Sequence, residues 1–245
     1  MPELTEIEKE YFRHHLNLPH IGFERQQKLK NSKVIVLGLG GLGSACANFL
    51  AMCGIGTIGL LDYDIVELSN ISRQLLYDQD DIGKPKSECS IRFLKSKYPC
   101  STFVECQTKL TESNIQEIIT KYSLVIDATD NFETKFLINK YCYSNQIPFV
   151  FSSVQGFTGH IAAFKNNSPC LECLYEKPKM IKSNSFVFNP LPSFFGALEA
   201  TEAVKILIGI GNLFGKVMIS DLLDYSFTRI EFHRNKECRV CARIH

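Results

Sequence analysis

The most constraining stretch of this 245-residue chain is Lys33-Val34-Ile35-Val36-Leu37 running directly into Gly38-Leu39-Gly40-Gly41-Leu42-Gly43. A short apolar, β-branched run ending in glycines reads as a buried strand entering a tight turn. Gly38, Gly40 and Gly43 fit G-x-G-x-x-G, in which the backbone must turn sharply and approach a phosphate, with helix N-terminal amides facing the anion. Residues 42–53 continue with helical spacing, and Thr57-Ile58-Gly59-Leu60-Leu61-Asp62 is the next strand. Asp62 lies 22 residues beyond Gly40, suitably placed for a ribose hydroxyl. By itself the turn favours a dinucleotide oxidoreductase, and a turn serving only helix–strand packing is the plainer alternative.

The pattern repeats downstream. Residues 85–97, 112–120 and 132–144 read as helices, and 102–106, 123–127 and 148–152 as strands. Alternation of this kind argues for a Rossmann-like, doubly wound α/β fold with a mainly parallel sheet. Residues 4–30 read as one or two short, charged helices ahead of the first strand, so 1–30 is taken as an N-terminal helical segment and 31–245 as a single domain. Beyond 152 the alternation stops. A strand over 158–164, a helix over Phe194–Gly209 with Leu198, Val204, Ile206 and Leu207 on its buried side, and strands near 215–220 and 226–232 are expected to continue the sheet antiparallel. Residues 176–189 are polar, lysine-rich and aperiodic, and are expected to form an exposed loop.

The residues after Asp62 shift the balance away from hydride chemistry. Ser69-Asn70-Ile71-Ser72-Arg73-Gln74 and Gly83-Lys84-Pro85-Lys86 place a guanidinium and an ammonium beyond the same strand end. Arginine grips phosphate oxygens bidentately and lysine acts as a point charge, which suits a triphosphate whose charge is neutralised while pyrophosphate departs. Taken singly, Arg73 or Lys86 is more often a solvated surface cation, and it is their joint occurrence beside Asn70 that favours the phosphate reading. Thr129-Asp130-Asn131 comes after the strand ending at Asp127, at the edge where parallel sheets hold ligands. A carboxylate there could hold the Mg2+ of a triphosphate, or Asp130 or Asn131 could cap the next helix.

Ten cysteines include two Cys-x-x-Cys pairs, Cys170/Cys173 and Cys238/Cys241, with Cys173 and Cys238 65 residues apart. Two matched knuckles can converge into a closed tetrahedral thiolate site, which makes a structural Zn2+ the expected occupant. The other six, Cys46, Cys53, Cys89, Cys100, Cys106 and Cys142, sit mostly among apolar neighbours, as small core residues do. A net charge of +1 argues against a nucleic-acid partner. No run of apolar residues is long enough for a membrane span, and the polar start Met1-Pro2-Glu3-Leu4-Thr5-Glu6 is unlike a secretory signal, so a cytoplasmic location is expected. His14, His15 and His20 show no ligand spacing and are expected at the surface or in packing.

Tyr11-Phe12-Arg13, the glycine turn, Asp62-Tyr63-Asp64, the Ser69–Gln74 and Lys84–Lys86 segments, Thr129-Asp130-Asn131 and both cysteine pairs, in this order, resemble the ThiF/MoeB/HesA family of bacterial relatives of ubiquitin-activating enzymes. The resemblance spans nearly the whole chain. It implies a homodimer that binds Mg·ATP and the Gly-Gly tail of a ubiquitin-like sulfur carrier protein, transfers AMP to the tail's carboxylate and releases pyrophosphate. It also implies that Asp62 holds the ribose, that Asn70, Arg73 and Lys86 contact phosphates, that Asp130 sits at the metal, and that Arg13 reaches into the neighbouring subunit's site. Gly38, Gly40, Gly41, Gly43, Asp64, Gln74 and Asn131 complete the nucleotide site on the matching motifs, and Cys170, Cys173, Cys238 and Cys241 are the zinc thiolates.

A carboxylate is already ionised at pH 7, so such a reaction needs positioning and charge stabilisation rather than a strong base. The sequence departs from the family pattern near Asn189-Pro190-Leu191-Pro192, where the family tends to have small residues, and after the first zinc pair. ThiF-like members often carry a cysteine after the first zinc pair, whereas Lys177–Phe186 contains none. Covalent transfer at that position is excluded, and attack on the adenylate by an outside persulfide donor is the favoured course. Thr108–Thr111 and Ser153–Phe157 lean toward a ThiS-like carrier of thiamine biosynthesis, and the missing cysteine toward a MoaD-like carrier of molybdopterin biosynthesis. An NAD-dependent oxidoreductase and a non-catalytic family-like binding module are the alternatives.

Overall fold

A computed structural model describes residues 3–175 and 186–242. One sheet of eight strands has the order β3-β2-β1-β4-β5-β6-β7-β8. The strands are β1 Lys33–Leu37, β2 Thr57–Leu61, β3 Thr102–Cys106, β4 Leu124–Asp127, β5 Phe149–Gln155, β6 Thr158–Phe164, β7 Lys216–Asp221 and β8 Ser226–Glu231. The first five pair in parallel, and β5 to β8 form an antiparallel meander. The expected architecture is therefore present, including the switch of strand direction after residue 152.

Alternation along the central strands sends side chains to both faces. Val34, Val36, Ile58, Leu60, Leu124 and Ile126 pack against helices α4 (Gly41–Met52) and α10 (Pro190–Leu207), with α6 (Lys86–Lys97) alongside. Ile35, Leu37, Val125, Phe149 and Phe151 face the other way, toward α7 (Ile115–Ile119) and α8 (Phe132–Ser144). Both faces being covered explains why β1, β2 and β4 read as continuous apolar runs.

Three details differ from the sequence reading. The N-terminal segment forms three short helices, α1 Glu6–Tyr11, α2 Arg13–Leu16 and α3 Gly22–Lys30, because Phe12 interrupts the first two and a positive-φ Gly22 starts the third. Helix α10 begins at Pro190 rather than Phe194. Prolines in a first turn cost nothing there, because those N–H groups have no intrahelical acceptor. Its most buried face carries Leu191, Phe195, Gly196, Glu199, Ala200, Ala203 and Val204, while Leu198, Ile206 and Leu207 are half-buried against the same core. Most of the expected 176–189 loop, residues 176–185, lies outside the described residues. No described helix is long and apolar enough to cross a membrane.

Candidate active site

Strands β2, β1 and β4 end in register, with Leu37 level with both Leu61 and Asp127. The segments leaving them, at Asp62, Gly38 and Ala128, therefore meet at one edge. The glycines there serve different ends. Gly38 has φ +88°, and a Cβ on it would stand 2.8 Å from the Ala128 carbonyl oxygen. A Cβ on Gly43 would stand 1.8 Å from the Gly38 carbonyl oxygen, and one on Gly41 would lie 2.7 Å from Pro192. These three permit close self-packing. Gly40 is different, since a Cβ there would have nothing nearer than Gln74 Nε2 at 4.0 Å, which leaves open space over the start of α4.

Asp62 is buried, and its carboxylate accepts the backbone N–H of Leu39 at 2.7 Å and of Asp64 at 2.8 Å. It ties the second strand end to the glycine turn while lying beside the open space. Asp64 in turn accepts Lys86 N–H through its carbonyl at 2.9 Å, and its exposed carboxylate stands 3.5 Å from the Lys86 ammonium. Lys86 is 7% exposed and opens α6, so its charge is held at the site rather than in bulk water. The solvated-cation reading fails for Lys86.

The short helix α5 (Leu68–Ile71) presents Asn70, buried, whose amide oxygen accepts Glu67 N–H at 3.1 Å. Arg73 is half-buried and its guanidinium donates to the Ser69 carbonyl. Gln74 is buried and its Oε1 has no partner among the described residues. A hollow of about 190 Å³ lies here, lined by Arg73, Gln74, Asn189, Pro190 and Ser193 among others. A larger hollow, about 420 Å³, opens by Pro148, Lys165 and Gly211 at the opposite end of the sheet, away from these groups. Two cations and an open glycine turn fit a phosphorylated ligand at the strand ends.

On the β4 side, Asn131 caps α8, its Oδ1 accepting Thr134 N–H at 2.9 Å. Capping thus falls to Asn131, and the Asp130 carboxylate is left exposed, with Asn131 Nδ2 at 3.4 Å and Tyr63 near enough to feel its charge. Arg13 lies on the exposed N-terminal helices, 3.6 Å from Glu10, and is not brought to this edge within the chain.

The cysteine pairs converge as their spacing implied, with all four Sγ atoms within 4.8 Å of one another. Cys170–Cys238 and Cys173–Cys241 are 3.5 and 3.3 Å apart. Four thiolates around Zn2+ at its usual distance of about 2.3 Å stand about 3.8 Å apart, so the donor set fits that ion. Burial and the neighbouring sulfurs push the Cys241 thiol up to about 12, so it needs a cation to ionise beside the others. Asn235 N–H donates to Cys173 Sγ at 3.3 Å, support of the kind metal-bound sulfurs receive. Of the remaining cysteines, Cys46, Cys89 and Cys142 are buried core residues, and Cys53, Cys100 and Cys106 are half-buried.

Two groups carried no sequence signal. His160 on β6 bonds the Tyr175 hydroxyl, and burial together with the nearby Lys135 lowers its pKa to about 4. Glu199 on α10 is fully buried with Ser152 beside its carboxyl, and burial raises that carboxyl well above the ordinary range. A helical period marks which face is buried but not an acid placed on it.

The ThiF family model matches residues 12–240. A sulfur carrier protein adenylyltransferase of Thermus thermophilus is 36% identical over 97% of this chain and 92% of its own length. A molybdopterin-synthase adenylyltransferase of Salmonella typhimurium is 32% identical over 99% of this chain and its full length. Among solved structures, Escherichia coli MccB with ATP superposes with a TM-score of 0.82, at 22% identity over 97% of this chain and 82% of that one, a likeness of fold. With the glycine turn, the buried cation and the thiolate cluster where the fold requires them, this chain belongs to the ThiF family and is a nucleotidyltransferase.

Proposed function

We propose that this enzyme adenylates the C-terminal carboxylate of a ubiquitin-like sulfur carrier protein with a Gly-Gly tail. ATP lies over the turn at Gly38–Gly43, its ribose against Asp62. Asn70, Arg73 and Lys86 take the phosphates, with Asp64, Gln74 and Asn131 bordering them. Lys86 carries the reading furthest, because a lysine only 7% exposed stands beside an open phosphate cradle, with only an exposed carboxylate 3.5 Å from its ammonium.

Chemically, the carrier carboxylate displaces pyrophosphate from the α-phosphorus, so that one C–O–P linkage forms as one P–O–P linkage breaks. No described group at this edge needs to remove a proton. Arg73 and Lys86 offset the charge that gathers on the departing pyrophosphate, a role in which a fixed cation in a partly dry site is worth several kcal/mol. When bound, Mg2+ would supply further charge neutralisation, and the free carboxylate of Asp130 would hold it. Zn2+ at Cys170, Cys173, Cys238 and Cys241 would be structural, since four thiolates leave no open position.

In this reading the enzyme is a homodimer, with Arg13 completing the partner's site. The persulfide of an outside donor then attacks the acyl carbon of the adenylate, forming a C–S bond as the C–O bond to AMP breaks, because Lys177–Phe186 contains no cysteine. A MoaD-like carrier is favoured over a ThiS-like one by that same feature. Carrier-dependent ATP–pyrophosphate exchange tests the proposal: exchange with a Gly-Gly-tailed carrier supports it, and none with either carrier class would leave a binding module instead.

A further inference from the structure

The geometry points to Asp127, Thr129 and Lys135 as a positioning set that fixes where the Asp130 carboxylate stands. Asp127 is fully buried at the end of β4. Its Oδ1 receives three donors: Thr129 N–H at 3.2 Å, the Thr129 hydroxyl at 2.7 Å and the Lys135 ammonium at 3.4 Å. Lys135 is itself buried near the start of α8, with its ammonium 4.6 Å from the centre of the Phe151 ring. Lys135 N–H also bonds the Asn131 carbonyl at 3.2 Å.

Asp130 is thereby clamped on both sides. Before it, Thr129 is folded back onto Asp127, and Ala128 is held against β1 by its N–H to the Leu37 carbonyl at 3.0 Å. After it, Asn131 is fixed by its cap to Thr134. Lys135 joins the two clamps, because it sits on the capped helix and binds the strand-end carboxylate. The remaining oxygen, Asp127 Oδ2, has no partner among the described residues, so the clamp depends on Oδ1 alone. An exposed carboxylate on so constrained a segment is pre-oriented, which lowers the cost of ordering it around a cation.

This inference rests on the reading of Asp130 as the Mg2+ ligand, and the test separates the two. Mn2+ affinity is measured by electron paramagnetic resonance on the full-length protein with ATP present, and ATP affinity by calorimetry without divalent metal. Thr129→Val, which keeps the shape and loses the hydroxyl, should weaken Mn2+ binding about 3- to 10-fold and leave metal-free ATP binding unchanged. Thr129→Ser should restore native affinity, and Lys135→Arg should do better than Lys135→Met. Asp130→Asn is the control. If Asp130→Asn weakens Mn2+ binding and Thr129→Val does not, the positioning role is overturned. It is equally overturned if Thr129→Val weakens metal-free ATP binding to the same extent. If Asp130→Asn leaves Mn2+ affinity unchanged, the metal reading falls and the positioning role with it.

Discussion

The two halves of the sheet hold their functional groups by different means. In the parallel half, strand ends in register bring Gly38, Asp62 and Ala128 together, and the contacts that fix them are largely to backbone: Asp62 to Leu39 N–H and Asp64 N–H, Gly38 N–H to the Leu61 carbonyl, Ala128 N–H to the Leu37 carbonyl. In the antiparallel half, cysteine pairs separated by 65 positions meet chiefly through their sulfurs, carried on the segments after β6 and β8, with Asn235 N–H on Cys173 Sγ beside them. The first is built by topology, and every strand pairing supports it. The second is built by a closure that the sheet alone does not enforce, since β8 is exposed throughout and pairs only with β7.

That contrast can be broken experimentally. Chelation of the metal, or Cys241→Ser, should have the largest effect, lowering Tm by roughly 10 °C because a structural zinc site contributes folding free energy directly. Limited proteolysis should show first cuts near 230–242 while ATP binding persists. Loss of ATP binding in step with metal removal would show that the halves are not separable. Gly43→Ala should come next, at about 3 kcal/mol or more by urea denaturation, because its Cβ would stand 1.8 Å from a backbone oxygen that cannot move aside. Asn131→Ala should cost about 1 kcal/mol, the usual worth of a helix cap. Asn131→Asp should recover most of it.

The smallest effect concerns pH. His160 has its folded pKa lowered from 6.5 to about 4, so between these values the unfolded chain binds the proton first. Stability then falls as pH falls from 6.5 toward 4. Glu199, raised above the ordinary 4.5 by burial, works the other way, its contribution being lost as pH rises above that value. His160→Gln should therefore flatten the rise of Tm with pH between about 4 and 6.5, by about 2 °C at a pH of about 5.5, and Glu199→Gln should steepen it. Identical Tm profiles for both variants would refute the assignment.

The same contrast explains what the sequence could disclose. The strand–glycine–helix unit is local, so Lys33–Gly43 announces its own geometry, and the Asp62 and Thr129–Asn131 positions are set by parallel topology. The thiolate cluster is not local, yet two matched Cys-x-x-Cys pairs have few other uses, so it too was legible. The separate purposes of the glycines were not, because Gly41 is required by Pro192, a residue 151 positions away. Nor was the start of α10: Asn189-Pro190-Leu191-Pro192 looks like a loop until both prolines are seen to fit a first helical turn. Glu199, His160 and the Asp127–Lys135 pair are polar groups placed by tertiary packing, for which periodicity offers no signal.

The most direct test is a calorimetric titration of ATP into the wild-type protein and into Arg73→Ala and Lys86→Ala, with NAD as the comparison ligand. ATP should bind the wild type, each substitution should weaken it at least tenfold with Tm unchanged, and NAD should compete poorly. Full ATP affinity in both variants would contradict the account, because the buried cation beyond the second strand would then serve something other than a triphosphate.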